Sequence, residues 1–162
     1  MPPSRSGRPP SSSYAKGEKL AREIDTVGVL ASILVSRAPA QLAVGDLEGA
    51  ERSCLQARTY MGQLGDRLGL AECSKVEGMI CRKRSLYVEA QERLRRGRHL
   101  FQELENPLGV AECDLELGLL QQQGGDVGGA RQCLEDARTS FQQVGALEEV
   151  RKAEELLAAL ST

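Results

Sequence analysis

Slid by 40 residues, the chain matches itself without a gap, and this repetition constrains its fold more than any other feature. Ala50, Ala90 and Ala130 coincide, as do Met61, Phe101 and Phe141, then Leu64, Leu104 and Val144. Ala31, Ala71 and Ala111 also fall together. Gly69-Leu-Ala-Glu-Cys73 lies on Gly109-Val-Ala-Glu-Cys113, and Gly78 on Gly118. Apolar and small positions held in one register point to a stack of similar units, each covering the apolar face of its neighbour.

Each unit reads as two helices. Thr26, Asp66 and Asn106 stand 40 apart at the start of the first, where a side-chain oxygen can accept the unpaired N–H groups of the first turn. Pro107 occupies a first helical position, where its missing N–H costs nothing. Gly45-Asp46, Ser85 and Gly125-Asp126 supply turn chemistry before the second helix, with Asp46 and Asp126 as caps. Leu47, Ala50, Cys54, Ala57, Met61 and Leu64 then share one helical face. Repeats are predicted over 26–65, 66–105 and 106–145. Pro39 falls inside the first helix of the first repeat, where it is expected to kink or end it.

The ends differ. Residues 146–162 carry Leu147, Val150, Ala153, Leu157 and Leu160 on one side and acids with Lys152 on the other, as a capping helix should. Residues 15–25 match the second half of a second helix, with Leu20, Ala21 and Ile24 in register with Tyr60, Met61 and Leu64. This predicts a truncated repeat whose apolar face needs cover. Residues 1–14 hold Pro, Ser and Arg in excess and predict a disordered lead without a secretory h-region.

Chemistry is sparse. A single His, His99, removes most Ser/His/Asp and multi-His metal schemes. None of the five cysteines forms a CxxC pair, and an odd number of thiols suits a reducing, cytoplasmic compartment. Gly124–Gly129 lacks phosphate-loop spacing and is explained as a turn. No catalytic, cofactor or metal residue is therefore assigned. A net charge of −2 argues against bulk nucleic-acid binding, and no apolar run approaches membrane-spanning length.

The pattern resembles the tetratricopeptide repeat, in its long form of about 40 residues per unit. Pro107-Leu-Gly-Val-Ala-Glu-Cys-Asp-Leu-Glu-Leu-Gly118, with Gly125-Asp126 and Ala130, matches best. Departures are Leu34, Ser74 and Asp114 where the family has a large residue, and Arg37 and Glu77 where Leu117 keeps the family's Leu. The resemblance implies an all-α superhelix, here about three hairpins plus a C-terminal cap, that binds a peptide or protein segment in a concave groove without catalysis. Two alternatives remain: a ligand- or peptide-sensing domain of a transcription regulator, and a structural element dimerising through the incomplete N-terminal repeat.

Projected from the family, the groove comprises Lys75, Met79, Arg82 and Lys83 in the second repeat and Glu112, Leu115, Leu119 and Gln122 in the third. Leu115 and Leu119 either face this groove or are buried between repeats, the hairpin contact being assigned to Val110, Cys113 and Leu117. Apolar anchors beside a basic rim would suit a partner with acidic flanks. The stretch from Lys75 to His99 is basic and the C-terminal third, from Leu100 on, acidic, so Arg93, Arg95, Arg96 and Arg98 form an alternative face.

Overall fold

The computed structural model describes residues 11–23 and 27–162, and every regular element among them is a helix. In order these are α1 (Ser11–Glu23), α2 (Val27–Ala43), α3 (Leu47–Leu64), α4 (Arg67–Lys83), α5 (Tyr87–Glu103), α6 (Pro107–Gln123), α7 (Val127–Val144) and α8 (Leu147–Ala159). The fold is all-α. Residues 1–10 and the expected cap Thr26, with Ile24, lie outside the described residues.

From α2 onward each helix starts 20 residues after the last, so the structural unit is half the sequence repeat. The cause is one turn used six times. Residues 45, 65, 85, 105, 125 and 145 all take positive φ, between 53° and 82°. The N–H of each following residue donates to a carbonyl five residues back: Asp46 to Gln41, Asp66 to Met61, Leu86 to Cys81, Asn106 to Phe101, Asp126 to Gln121 and Ala146 to Phe141, each at 2.9 Å. This is the closing bond of a Schellman turn. The residue forming that bond also begins the next helix. Asp46, Asp66, Asn106 and Asp126 accept from the N–H three residues on, at 2.8–2.9 Å, and that residue is glycine every time. A Cβ on Gly49 or Gly129 would strike the capping carboxylate, and one on Gly69 or Gly109 would strike Met61 or Phe101. Leu86 and Ala146 lack the cap, and there Glu89 and Glu149 replace the glycine.

The chain divides into two compact units, residues 1–69 and 70–162. In the first, α1 packs on α2 and α2 on α3. Residues 11–14 belong to α1, a correction to the disordered lead expected over 1–14. Serines suit a helix start, and α2 supplies the cover: Gly17 lies against Ile33, and Glu18 pairs with Arg37. Leu20 nevertheless stays 57% exposed. Nor does Pro39 end α2, which runs through it to Ala43. Burial of Leu34, Ala38 and Leu42 on both sides of the proline holds the helix together.

In the second unit α5 packs on α6, α6 on α7 and α7 on α8. The hairpins α4–α5 and α6–α7 close on Gly78 and Gly118, where an added Cβ would meet Leu94 and Leu134. At the same register in α2–α3 stand Ala38 and Cys54, both buried. A larger residue on one helix is thus matched by a smaller one on the other, as close packing requires.

Candidate functional site

Helix α6 sits between α5 and α7 and is buried nearly all round, Asp114 and Glu116 included, so it has no single inward face. Ala111 and Leu115 pack with Leu134, Ala137 and Phe141 of α7 and with Ala153 and Leu157 of α8. Leu117 and Leu120 pack with Ala90 and Leu94 of α5, and Cys113 with Phe101. The expected roles are therefore exchanged. Leu115 makes the hairpin contact and is buried, while Cys113 and Leu117 face the preceding helix, where Val110 also packs. The helix is sandwiched, and a sandwiched helix buries two stripes.

Charges of the projected groove bind one another. Lys75 on α4 pairs with Glu72 and with Glu112 on α6, and its ammonium lies 5.6 Å from the centre of the Phe101 ring. Burial lowers the Lys75 pKa, but Glu72 and Glu112 more than offset this and leave it above its ordinary value. Seven residues on, Arg82 donates from Nε to Glu116 Oε2 at 3.0 Å, with Nη2 at 2.9 Å from the same oxygen. Both partners are buried. Two ion pairs thus tie the first helices of successive hairpins. Of the groove residues, Met79, Leu119 and Gln122 are half-buried and Lys83 is exposed.

The alternative basic face is also partly used by the fold. Arg98 Nε donates to Asp114 Oδ1 at 2.6 Å and Nη2 to Oδ2 at 3.3 Å, while Arg93 lies 3.4 Å from Glu77. Burial pushes the Asp114 carboxyl above its usual range, and Arg98 pulls it back only in part. Arg95 and Arg96 remain exposed. His99 is exposed, 3.5 Å from Glu103.

Sequence reasoning missed Asp114 and Glu116 as partners. A signal existed: Asp114 is the polar residue standing where the family has a large one, and Arg58, Arg98 and Arg138 recur at the repeat interval. In the last of these the Nε is buried without a hydrogen-bond partner.

None of the five cysteines is in a disulfide. Cys113 is enclosed by Ala71 and Phe101. Burial, only partly countered by Lys75, pushes its thiol up to about 12 from 9.0. Above pH 9 the unfolded chain therefore releases a proton that the folded chain retains, so stability falls as pH rises toward 12. The slope from this group is at most about 1.4 kcal/mol per pH unit. The raised Lys75 adds a loss only above its ordinary 10.5. Urea unfolding at pH 8, 9 and 10 should show the fall in the parent and a smaller one in Cys113→Ala.

Between α5 and α7, with α6 as floor, lies a cleft of about 390 Å³ bordered by Arg95, Arg98, Asp114, Gln121, Cys133 and Asp136. Among the described residues no cluster of three or more His, Cys, Asp and Glu is placed to hold a metal, and no helix is long and apolar enough to cross a membrane.

No protein-family model matches the chain, and no curated protein is similar to it. Among solved structures, the crystal structure of BtubC (BKLC) from P. vanneervenii is similar with a TM-score of 0.66 at 16% identity, over 93% of this chain and 71% of that one. At this identity the likeness concerns the fold alone.

Proposed function

We propose that the chain is a non-catalytic interaction module of the tetratricopeptide kind, which binds a peptide or protein segment on the faces of its first helices. The observation that carries this reading is the state of α4 and α6. Their inner residues are consumed by packing and by ion pairs between helices, while Met79, Lys83, Leu119 and Gln122 are left half-exposed or exposed at groove positions. A rigid scaffold with apolar side chains and a cation on one face suits an extended partner with apolar anchors and acidic residues.

The test is an array of peptides that pair apolar anchors with acidic flanks, read by fluorescence polarisation. Leu119→Arg and Lys83→Glu change side chains that the fold does not bury, so both variants should keep the parent's helicity. Each should weaken the best peptide by about tenfold or more, equivalent to about 1.4 kcal/mol. Equal affinity of both variants and the parent would remove this face as the site. Arg82→Glu is unsuited to the purpose, because Arg82 is a buried partner of Glu116.

A further inference from the structure

The three hairpins fill one crevice in three different ways. Its positions are Arg37, Gln41 and Ser53 in α2–α3, Glu77, Cys81 and Arg93 in α4–α5, and Leu117, Gln121 and Cys133 in α6–α7. In the first hairpin the polar groups bond one another, and Arg37 also pairs with Glu18 of α1. Arg37 Nε donates to Ser53 Oγ at 3.0 Å, Ser53 Oγ to Gln41 Oε1 at 2.7 Å, and Gln41 Nε2 to Asp46 at 3.2 Å. In the second an ion pair, Arg93 to Glu77, spans the same positions.

The third hairpin leaves its crevice open. Leu117 replaces the charged residue and Cys133 replaces the hydroxyl donor by a thiol, a much weaker donor. Gln121 Oε1 is buried with no hydrogen-bond partner, a condition that buried acceptors rarely keep. Gln121 lines the cleft of about 390 Å³, a size within the range of small-molecule sites. The cleft has two chemically distinct sides. Gln121 offers an unused carbonyl acceptor on one, beside the Asp136 carboxylate, which already accepts from Gln132 Nε2 at 3.0 Å, and Arg95, exposed on α5, offers cationic donors on the other. Arg98 and Asp114 also line the cleft and satisfy each other.

We propose that this crevice binds a small dipolar molecule bearing both a cationic nitrogen and a carboxylate, of the class of the basic amino acids. The nitrogen donates to Gln121 and Asp136, the carboxylate faces Arg95, and the aliphatic stem lies along Leu117 and Cys133. The site is independent of the peptide-binding face on α4 and α6.

The probe is L-arginine, titrated into the whole ¹⁵N-labelled chain, with agmatine, which lacks the carboxylate, and glutarate, which lacks the cation, as comparisons. Arginine should saturate with a Kd of roughly 0.1–1 mM, the range open to a ligand of about a dozen heavy atoms. Shifts should centre on α5 and α7 around the cleft, and agmatine and glutarate should bind several-fold more weakly. Cys133→Ser is the decisive variant. It restores the hydroxyl that closes the first hairpin, so it should fold as the parent does and lose at least about tenfold in affinity. The exposed Arg95→Glu should do likewise. Failure of arginine to saturate, equal binding by agmatine, or unchanged affinity in Cys133→Ser would overturn the proposal.

Discussion

Replacing Arg82 by alanine is expected to destabilise the second unit by about 3–5 kcal/mol, because the Glu116 carboxylate is then left buried and unpaired. Glu116→Ala should cost a similar amount for the mirror reason. Removing both charges together is a different case. In Arg82→Met with Glu116→Leu, apolar side chains of comparable volume replace a pair whose members were stripped of water, and the double variant should recover most of the loss or all of it. Urea unfolding of the parent, Arg82→Met, Glu116→Leu and the double variant completes a double-mutant cycle, in which the coupling should be large because the two residues touch at 2.9 Å. A double variant no more stable than either single one would mean that the pair holds α4 and α6 in a geometry that apolar packing cannot supply.

Phe101→Ala should have a comparable effect, about 3–5 kcal/mol. The ring is fully buried against Ala71 and Cys113, and it occupies the space that the missing Cβ of Gly109 leaves at the start of α6. That glycine is already committed as the third residue of a capped turn, so the backbone cannot readily collapse into the void. Phe101→Leu should cost only about 1–1.5 kcal/mol. Unfolding should be followed by helicity and by fluorescence of a label on α5, since stacked helices need not unfold in one step. Equal stabilities of the alanine and leucine variants would show that the cavity closes by relaxation.

The sequence made the architecture legible through its small residues. Ala50, Ala90 and Ala130 mark close helix contacts, and Gly45, Ser85 and Gly125 mark the turns inside the hairpins, while the turns at 65, 105 and 145 between them went unread. Glu105 helped conceal the 20-residue half-period, because it adopts the left-handed conformation without being glycine. Periodicity could not tell which stripe of α6 faced which neighbour, since its leucines lie on more than one side and either assignment satisfied the pattern. Charge was the least legible property. Arg82, Lys75 and Arg98 read as surface cations, and only the positions of Glu116, Glu112 and Asp114 in space turn them into ties between helices. The open crevice was hidden for a related reason: a Cys in place of a Ser carries no message until the carboxamide it fails to satisfy is seen.

The matched sizes at the hairpin closures bear on how such an array can grow or be recombined. Leu94 and Leu134 need the glycines they face, whereas Ala38 and the smaller Cys54 stand at the equivalent places of the first hairpin. Duplication of a whole hairpin carries both halves of that match with it. Exchange of a single helix, α2 for α6 for instance, would set an alanine methyl against a leucine that has room only for hydrogen. The heritable module in this chain is therefore the pair of helices, even though the turns repeat with every helix.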